Sequence, residues 1–357
     1  NSLLYKNLVK NQLAVQVQSS HSCRELACEF SLYALPHPAS GKTLADIEAI
    51  VRASFQEFEQ RGVLDDDLNR VKAQIEAGTI YGLQSVSGKV SSLAFNETFY
   101  GQPDLSAADL ARYRAVSKDD VMRVYKTYIQ QKPAVIMSIV PKGQTQLIAK
   151  ADTFTPAKRG DFATSTTKAS DLQLRTTPVS FDRAQIPAVT VNPAVQLPTT
   201  YQQQLDNGIQ LLGSQSQETP TTALMIRIPV GLYQEDPAHA GITQLMAAML
   251  QESTQQYSSE QMALELEKLG SSISISSGQR YVEVYVQALS KNLTPTLALL
   301  QQKLQHPAFA ADDFSRLQQQ TLEGIQHSAK DPGYLASRAL EDRKSTRLNS
   351  SHSDRSR

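Results

Sequence analysis

The sequence predicts an α+β fold, with two related units of antiparallel sheet flanked by helices and joined by a long linker. Three observations carry this. Helical periods are mixed with hairpin signals, without the regular strand–helix–strand alternation of a doubly wound sheet. Between Pro141 and Pro198 the chain turns rich in Thr, Ser, Ala and Lys and holds six of its 16 prolines. A loop of that length marks a boundary. Finally, Asp66-Asp67-Leu68-x-Arg70 opens one long helical stretch and Asp312-Asp313-Phe314-x-Arg316 opens another, a faint internal repeat. The expected layout is a domain at 1–140, a linker at 141–200, a domain at 201–343 and a tail at 344–357.

In the first domain, residues 26–35 (LACEFSLYAL) read as a strand. Cys23 and Cys28 are five apart and on a single strand would face opposite sides, so they read as small buried thiols rather than a disulfide. Thr43 with Asp46 caps a helix whose apolar positions are Leu44, Ile47, Val51, Phe55 and Phe58. Gly62 ends it. Asp65, Asp66 and Asp67 open a second helix, where its dipole favours negative charge. They read as that, because consecutive helical positions diverge too much to make a metal site. The pattern weakens over 78–92 at Gly78, Gly82 and Gly88. Ser117 and Asp120 make a capping box for a short helix that stops before Pro133. Residues 134–140 (AVIMSIV) read as a buried strand.

In the second domain, Asn207-Gly208 between YQQQL and IQLLG marks a hairpin turn. A strand is expected over 222–230 and a helix from Ala240 to Gln251. Ser258 with Gln261 caps a further helix that Gly270 ends. Residues 271–276 and 280–289 alternate as a hairpin. Pro295 is expected at the first position of a helix, with Pro307 past its end. A last long helix is expected from Ala311 to Ser328.

Composition bounds the function. The chain has 357 residues, 40% hydrophobic and 20% charged, with 35 basic and 35 acidic side chains. That balance speaks against a nucleic-acid or anionic-membrane surface spread over the chain. No apolar run approaches the roughly 20 residues of a membrane span. Asn1 is not a natural start, so the sequence is expected to be an internal piece of a longer chain. The tail KSTRLNSSHSDRSR is basic and nearly free of apolar residues. A nucleic-acid arm has that composition, but its abrupt onset reads as non-native sequence, and it is set aside.

The residues by themselves show no active site. The histidines are His21, His37, His239, His306, His327 and His352, no two within four residues. There is no H-E-x-x-H, H-x-x-E-H, C-x-x-C or G-x-S-x-G, and no phosphate loop. His21 close to Cys23 gives two ligand types in a polar segment, which reads as a surface histidine.

Residues 203–340 resemble the first domain of a half-molecule in the pitrilysin/insulinase family of zinc metallopeptidases. The resemblance lies in the order LDNGIQLL, TALMIRIPVGLYQED, AHAGITQLMAAMLQEST, YSSEQMALELEKLGSSISISSG, YVEVYVQALSKNL and LQQKLQHPAFAADDFSRLQQQTLEGIQHSAKDP. Active members carry H-x-x-E-H on the helix after the glycine, followed by Met-Leu. Gly241 and Met249-Leu250 set the register, so the two histidine positions fall on Gln244 and Ala248 and the glutamate position on Ala247. The third ligand's place falls near Glu323. Alanine supplies neither a ligand nor a base, so the resemblance implies a degenerate, non-catalytic half.

Residues 1–140 resemble the second domain of the preceding half, through ACEFSLYALPHPASGKTLADIEAIVRASFQEFEQRGVLDDDLNRVKAQ and VSKDDVMRVYKTYIQQKPAVIMSIVP. The resemblance implies that zinc belongs to the longer protein, in a domain upstream, with none expected in this piece. It further implies peptide substrates, the other domains of the longer chain as partners, and a place in the periplasm or cell envelope. A wholly inactive scaffold or binding member of the family is the alternative it leaves.

Overall fold

A computed structural model describes residues 2–24, 26–151 and 198–340, with residues 155, 182, 184 and 185 between them. The tail 344–357 and most of the expected linker lie outside the described residues. The chain gathers into two compact units: Asn1–Lys42 with Ile47–Ile136 and Gln217–Arg357, and Thr43–Asp46 with Met137–Ser216.

The larger unit begins with a π-helical turn at Tyr5–Val9 and an antiparallel hairpin of β1 (Ala14–Cys23) and β2 (Cys28–Pro36). Leu8, Ala14 and Ile47 form a small core at the base of the hairpin, with Val17 and Ala34 packed on it. The reading of two separate buried thiols is overturned. Cys23 and Cys28 are exposed and joined by a disulfide, with Cα atoms 4.0 Å apart. They are not on one strand: the chain turns back between them, so they face each other as the last cross-strand pair.

Five helices follow: α1 (Leu44–Arg61), α2 (Asp65–Gly82), α3 (Val86–Tyr100), α4 (Ser106–Ala115) and α5 (Lys118–Tyr128). Asp65–Asp67 stand in the first turn of α2, and the Ser117–Asp120 capping box opens α5 as the sequence predicts. The weak pattern over 78–92 resolves into the end of α2 and the start of α3, whose first turn Ser85 caps through the Gly88 N–H at 3.0 Å. Residues 134–140 correct the expected buried strand. No strand forms there, and Val135, Met137 and Ile139 are 98%, 79% and 78% exposed. A strand needs a neighbour to take up its backbone N–H and C=O groups, and none of the described strands pairs with this segment.

The same unit continues with a three-stranded antiparallel sheet in the order β5 (Thr221–Ile228), β7 (Val282–Leu289), β6 (Ser272–Ser277). β3 (Thr200–Gln204) and β4 (Gln210–Ser214) come earlier in the chain and belong to the smaller unit. They pair about Asn207-Gly208, with Gly208 at φ +85° as such a turn requires. Val284 lies at the centre of the larger sheet, fully buried, opposite Ile226 on one side and Ile275 on the other. α6 (Ile242–Met249) and α8 (Leu293–Gln305) contribute Ala247 and Leu300 to that core. Pro295 is the third residue of α8 rather than the first; its missing N–H still costs nothing in the opening turn. α7 (Ser259–Leu269) has the expected Ser258–Gln261 capping box and ends at Gly270 in the left-handed region, φ +58°. α9 (Ala311–Ser328) is the last described long helix.

α2 and α7 pack closely enough that a Cβ on Gly270 would stand 2.6 Å from that of Ala77. Around this contact Tyr81 donates to the Gly270 carbonyl at 3.0 Å, Lys268 meets Asp66 at 2.9 Å, and Lys291 meets Glu76 at 2.7 Å. Among the described residues, no helix is long and apolar enough to cross a membrane.

Candidate functional site

The helix that the resemblance singles out is α6, and its placement can be built from one carboxylate. Glu235 accepts from the Gly241 N–H and the Thr243 N–H, both at 2.7 Å, and from the Thr243 hydroxyl at 2.5 Å. These bonds, the Thr243 hydroxyl foremost, hold its carboxyl below the usual glutamate range. A carboxylate at this end also opposes the positive end of the helix dipole. Thr243 Oγ1, its own hydrogen given to Glu235, accepts from the Ser277 hydroxyl of β6 at 2.9 Å, which ties the start of α6 to the sheet. Gly241 takes φ +95° at the helix entry, a conformation open to glycine.

With the helix so fixed, its faces follow from its period. Thr243, Ala247 and Met249 are buried, Ala247 against the core that Ile275, Val284 and Leu300 share. Gln244 is exposed and Ala248 half-buried. Gln244 and Ala248 are one turn apart and share a face, whereas Ala247 points into the sheet. Glu323 stands apart. It is exposed on α9, takes a hydrogen bond from Gln319 at 2.9 Å, and lies nine residues beyond Phe314, about 13 Å along the helix.

α6 and the start of α9 border an open, shallow apolar cavity of about 320 Å³. Ile242, Leu245, Met246 and Met249 line it from α6, and Phe309, Ala311 and Phe314 from the other side. A polar cluster ties the segment just after α6 to the start of α9. Arg316 bridges Glu252 at 2.8 Å and Asp313 at 3.1 Å, and Asp313 accepts from Ser253 at 2.6 Å. The Ser253 bond, aided by Arg316, lowers the Asp313 carboxyl from its ordinary value. Lys303, 3% exposed, donates to the Gln251 carbonyl at 2.7 Å. Burial pushes its ammonium down, with the nearby Glu252 charge opposing.

The residues of α6 do not fit a zinc ion. Ile242–Met249 offers no imidazole, thiolate or carboxylate, and zinc takes its protein ligands from those groups. Among the described residues the metal-capable cluster is His21, Cys23 and Cys28, on the β1–β2 hairpin. Sequence reasoning paired His21 with Cys23 but read the pair as a surface histidine, and it missed Cys28 beside them, the Glu235 cap and the cavity. The cap has no spacing signature, and the cavity depends on how two helices meet.

Comparison with known proteins bears on the same segment. Residues 211–353 match the insulinase family, peptidase family M16. The chain is 26% identical over 131 residues to an uncharacterized zinc protease of Rickettsia bellii, covering 37% of this chain and 32% of that protein. It is 26% identical over 107 residues to an uncharacterized zinc protease of Streptomyces coelicolor, covering 30% of this chain and 22% of that one. The chain thus spans a third or less of these relatives. A crystal structure of a peptidase M16 inactive domain from Pseudomonas fluorescens aligns over 40% of this chain and 35% of its own, with 26% identity and a TM-score of 0.38. A protease structure from Helicobacter pylori aligns over 39% and 34%, with 18% identity and a TM-score of 0.36.

Proposed function

We propose, from the match of residues 211–353 to the insulinase family, peptidase family M16, that this chain is the non-catalytic portion of a two-half zinc metallopeptidase that degrades peptides. In this reading it supplies chamber wall and peptide-binding surface. The zinc and its activating base sit in another domain of the longer protein. The observation that carries the reading is α6. At the positions where a zinc peptidase of this family needs two imidazoles and a carboxylate stand Gln244, Ala248 and Ala247, and beside them opens an apolar cavity. Such a cavity suits an apolar peptide side chain and offers no group to activate water.

The chain's own contribution is then to bind and orient. Met246, Met249 and Phe314 give the cavity deformable and aromatic walls, which accept varied side chains. The Glu235 cap and the Arg316 bridge hold the two helices that form it. The Cys23–Cys28 disulfide supports an oxidising compartment such as the periplasm or cell envelope.

The test uses the full chain with zinc and a mixture of fluorogenic peptides. No cleavage above a chelator-treated control is expected. Fluorescence anisotropy should show labelled peptides with apolar side chains binding, and Met249→Asp should weaken that binding at least tenfold. Chelator-sensitive hydrolysis by this chain would overturn the reading.

A further inference from the structure

The hairpin tip brings together three side chains that the α6 reading does not use. His21 and Cys23 are two apart on β1, so they leave the same face of the strand. Cys28 stands directly opposite Cys23 on β2 and shares that face. It is the face whose lower positions, Val17 and Ala34, pack on the core at the hairpin's base. The tip extends past the core, so all three side chains are exposed. The His21 Nε2 atom is 3.7 Å from the Cys23 Sγ, and the three candidate ligand atoms all lie within 4.8 Å of one another.

We propose that this tip is a redox-gated site for zinc(II), empty while the Cys23–Cys28 bond is intact and formed by His21, Cys23 and Cys28 when that bond is reduced. A tetrahedral zinc with ordinary bond lengths sets sulfur and imidazole nitrogen about 3.6 Å apart, close to the spacing already present between His21 and Cys23. Two thiolates and one imidazole suit a borderline-soft d10 cation. They leave the fourth position to water or an outside ligand. Because the three groups share one face of a paired hairpin, little backbone movement is needed to gather them.

The chemistry balances as two steps. A dithiol reductant gives two electrons and two protons to the Cys23–Cys28 bond; that S–S bond breaks, two protein thiols form, and the dithiol closes to its own disulfide. Zinc(II) then displaces one proton from each thiol and takes the free electron pair of neutral His21 Nε2, so two protons are released on binding. Metal and disulfide compete for the same two sulfurs.

The experiment uses the full chain, reduced by a phosphine, freed of reductant under nitrogen, and titrated with cobalt(II) as the spectroscopic substitute for zinc. A sulfur-to-cobalt charge-transfer band is expected to rise to one equivalent in reduced protein, to vanish on adding zinc, and to be missing from the oxidised protein. His21→Ala should weaken cobalt binding at least tenfold and His37→Ala should leave it unchanged. Circular dichroism of Cys23→Ser/Cys28→Ser checks that the fold survives without the bond. As a second readout, zinc should slow alkylation of the reduced thiols at least tenfold. Cobalt uptake that is equal in reduced and oxidised protein, or that survives in the double serine variant, would overturn the proposal. So would a reduced chain that shows no such band.

Discussion

Arg70 of α2 donates to Glu267 of α7 at 2.7 Å while holding Asp67, one turn back on its own helix, at 3.0 Å. Arg316 of α9 does the same thing elsewhere, holding Asp313 at 3.1 Å and reaching Glu252 at 2.8 Å. The repeated Asp-x-x-Arg of the sequence is therefore one device used twice. An aspartate near the helix start aims an arginine at a glutamate on a neighbouring segment. The Arg70 side chain is only 11% exposed, so its pair with Glu267 is better shielded from water than a surface pair. Arg70→Ala should cost about 1–3 kcal/mol in urea unfolding, because it strands Glu267, whereas Asp67 keeps Arg61 at 2.8 Å. Glu267→Gln, which keeps an acceptor, should cost less. Equal losses from both would mean that packing, not the ion pair, matters here.

Glu235 makes a prediction about acid. Its folded-state pKa lies below the ordinary glutamate value, so the carboxylate stabilises the fold fully above that value. The contribution fades as pH falls through the lowered folded-state value. Glu235→Gln should lose stability near neutrality and show a flatter acid limb. Thermal midpoints of both proteins between pH 3 and pH 7 read this out, and parallel curves would contradict it.

Lys303 gives the opposite limb. Burial lowers its folded-state pKa below the ordinary lysine value of 10.5, so between the two values the unfolded chain holds more protons. Stability from this group therefore rises with pH through the alkaline range. Lys303→Met should remove that rise and change stability at neutral pH by no more than about 1 kcal/mol, since the lost ammonium is costly to bury. Urea midpoints at pH 7 and pH 9.5 decide the matter.

Ala247 tests the geometry of α6. Its side chain faces Val284 and Ile275 and is 2% exposed. Ala247→Glu should cost about 2–4 kcal/mol by burying an unpartnered carboxyl, whereas Gln244→His on the open face should cost less than about 0.5 kcal/mol. If thermal unfolding gave the two substitutions the same cost, the orientation of α6 would be wrong.

Signals confined to a few neighbouring residues were legible in advance. The Ser117–Asp120 and Ser258–Gln261 capping boxes and the Asn207-Gly208 turn each need only three or four residues to act, and each forms as read. The failures are contacts between segments. Nothing in Arg24–Ala27 carries the Gly or Pro that announces a turn, so β1 and β2 could not be seen to fold back and join Cys23 to Cys28. AVIMSIV has strand composition, but composition does not supply a partner strand. At the candidate site the chemistry of Gln244, Ala247 and Ala248 could be read from their identities alone. The cavity beside them required the meeting of α6 with α9, and Glu323 falls well along α9 from that meeting.

The packing of α2 on α7 has a consequence for how the protein holds together. Their contacts join residues before 83 to residues after 258, so covalent continuity between 152 and 197 is not what keeps the larger unit whole. A protease that nicks the chain there would leave two polypeptides migrating as one species until denatured. The two parts, produced as separate chains, would reassemble on mixing, as a naturally split gene would require.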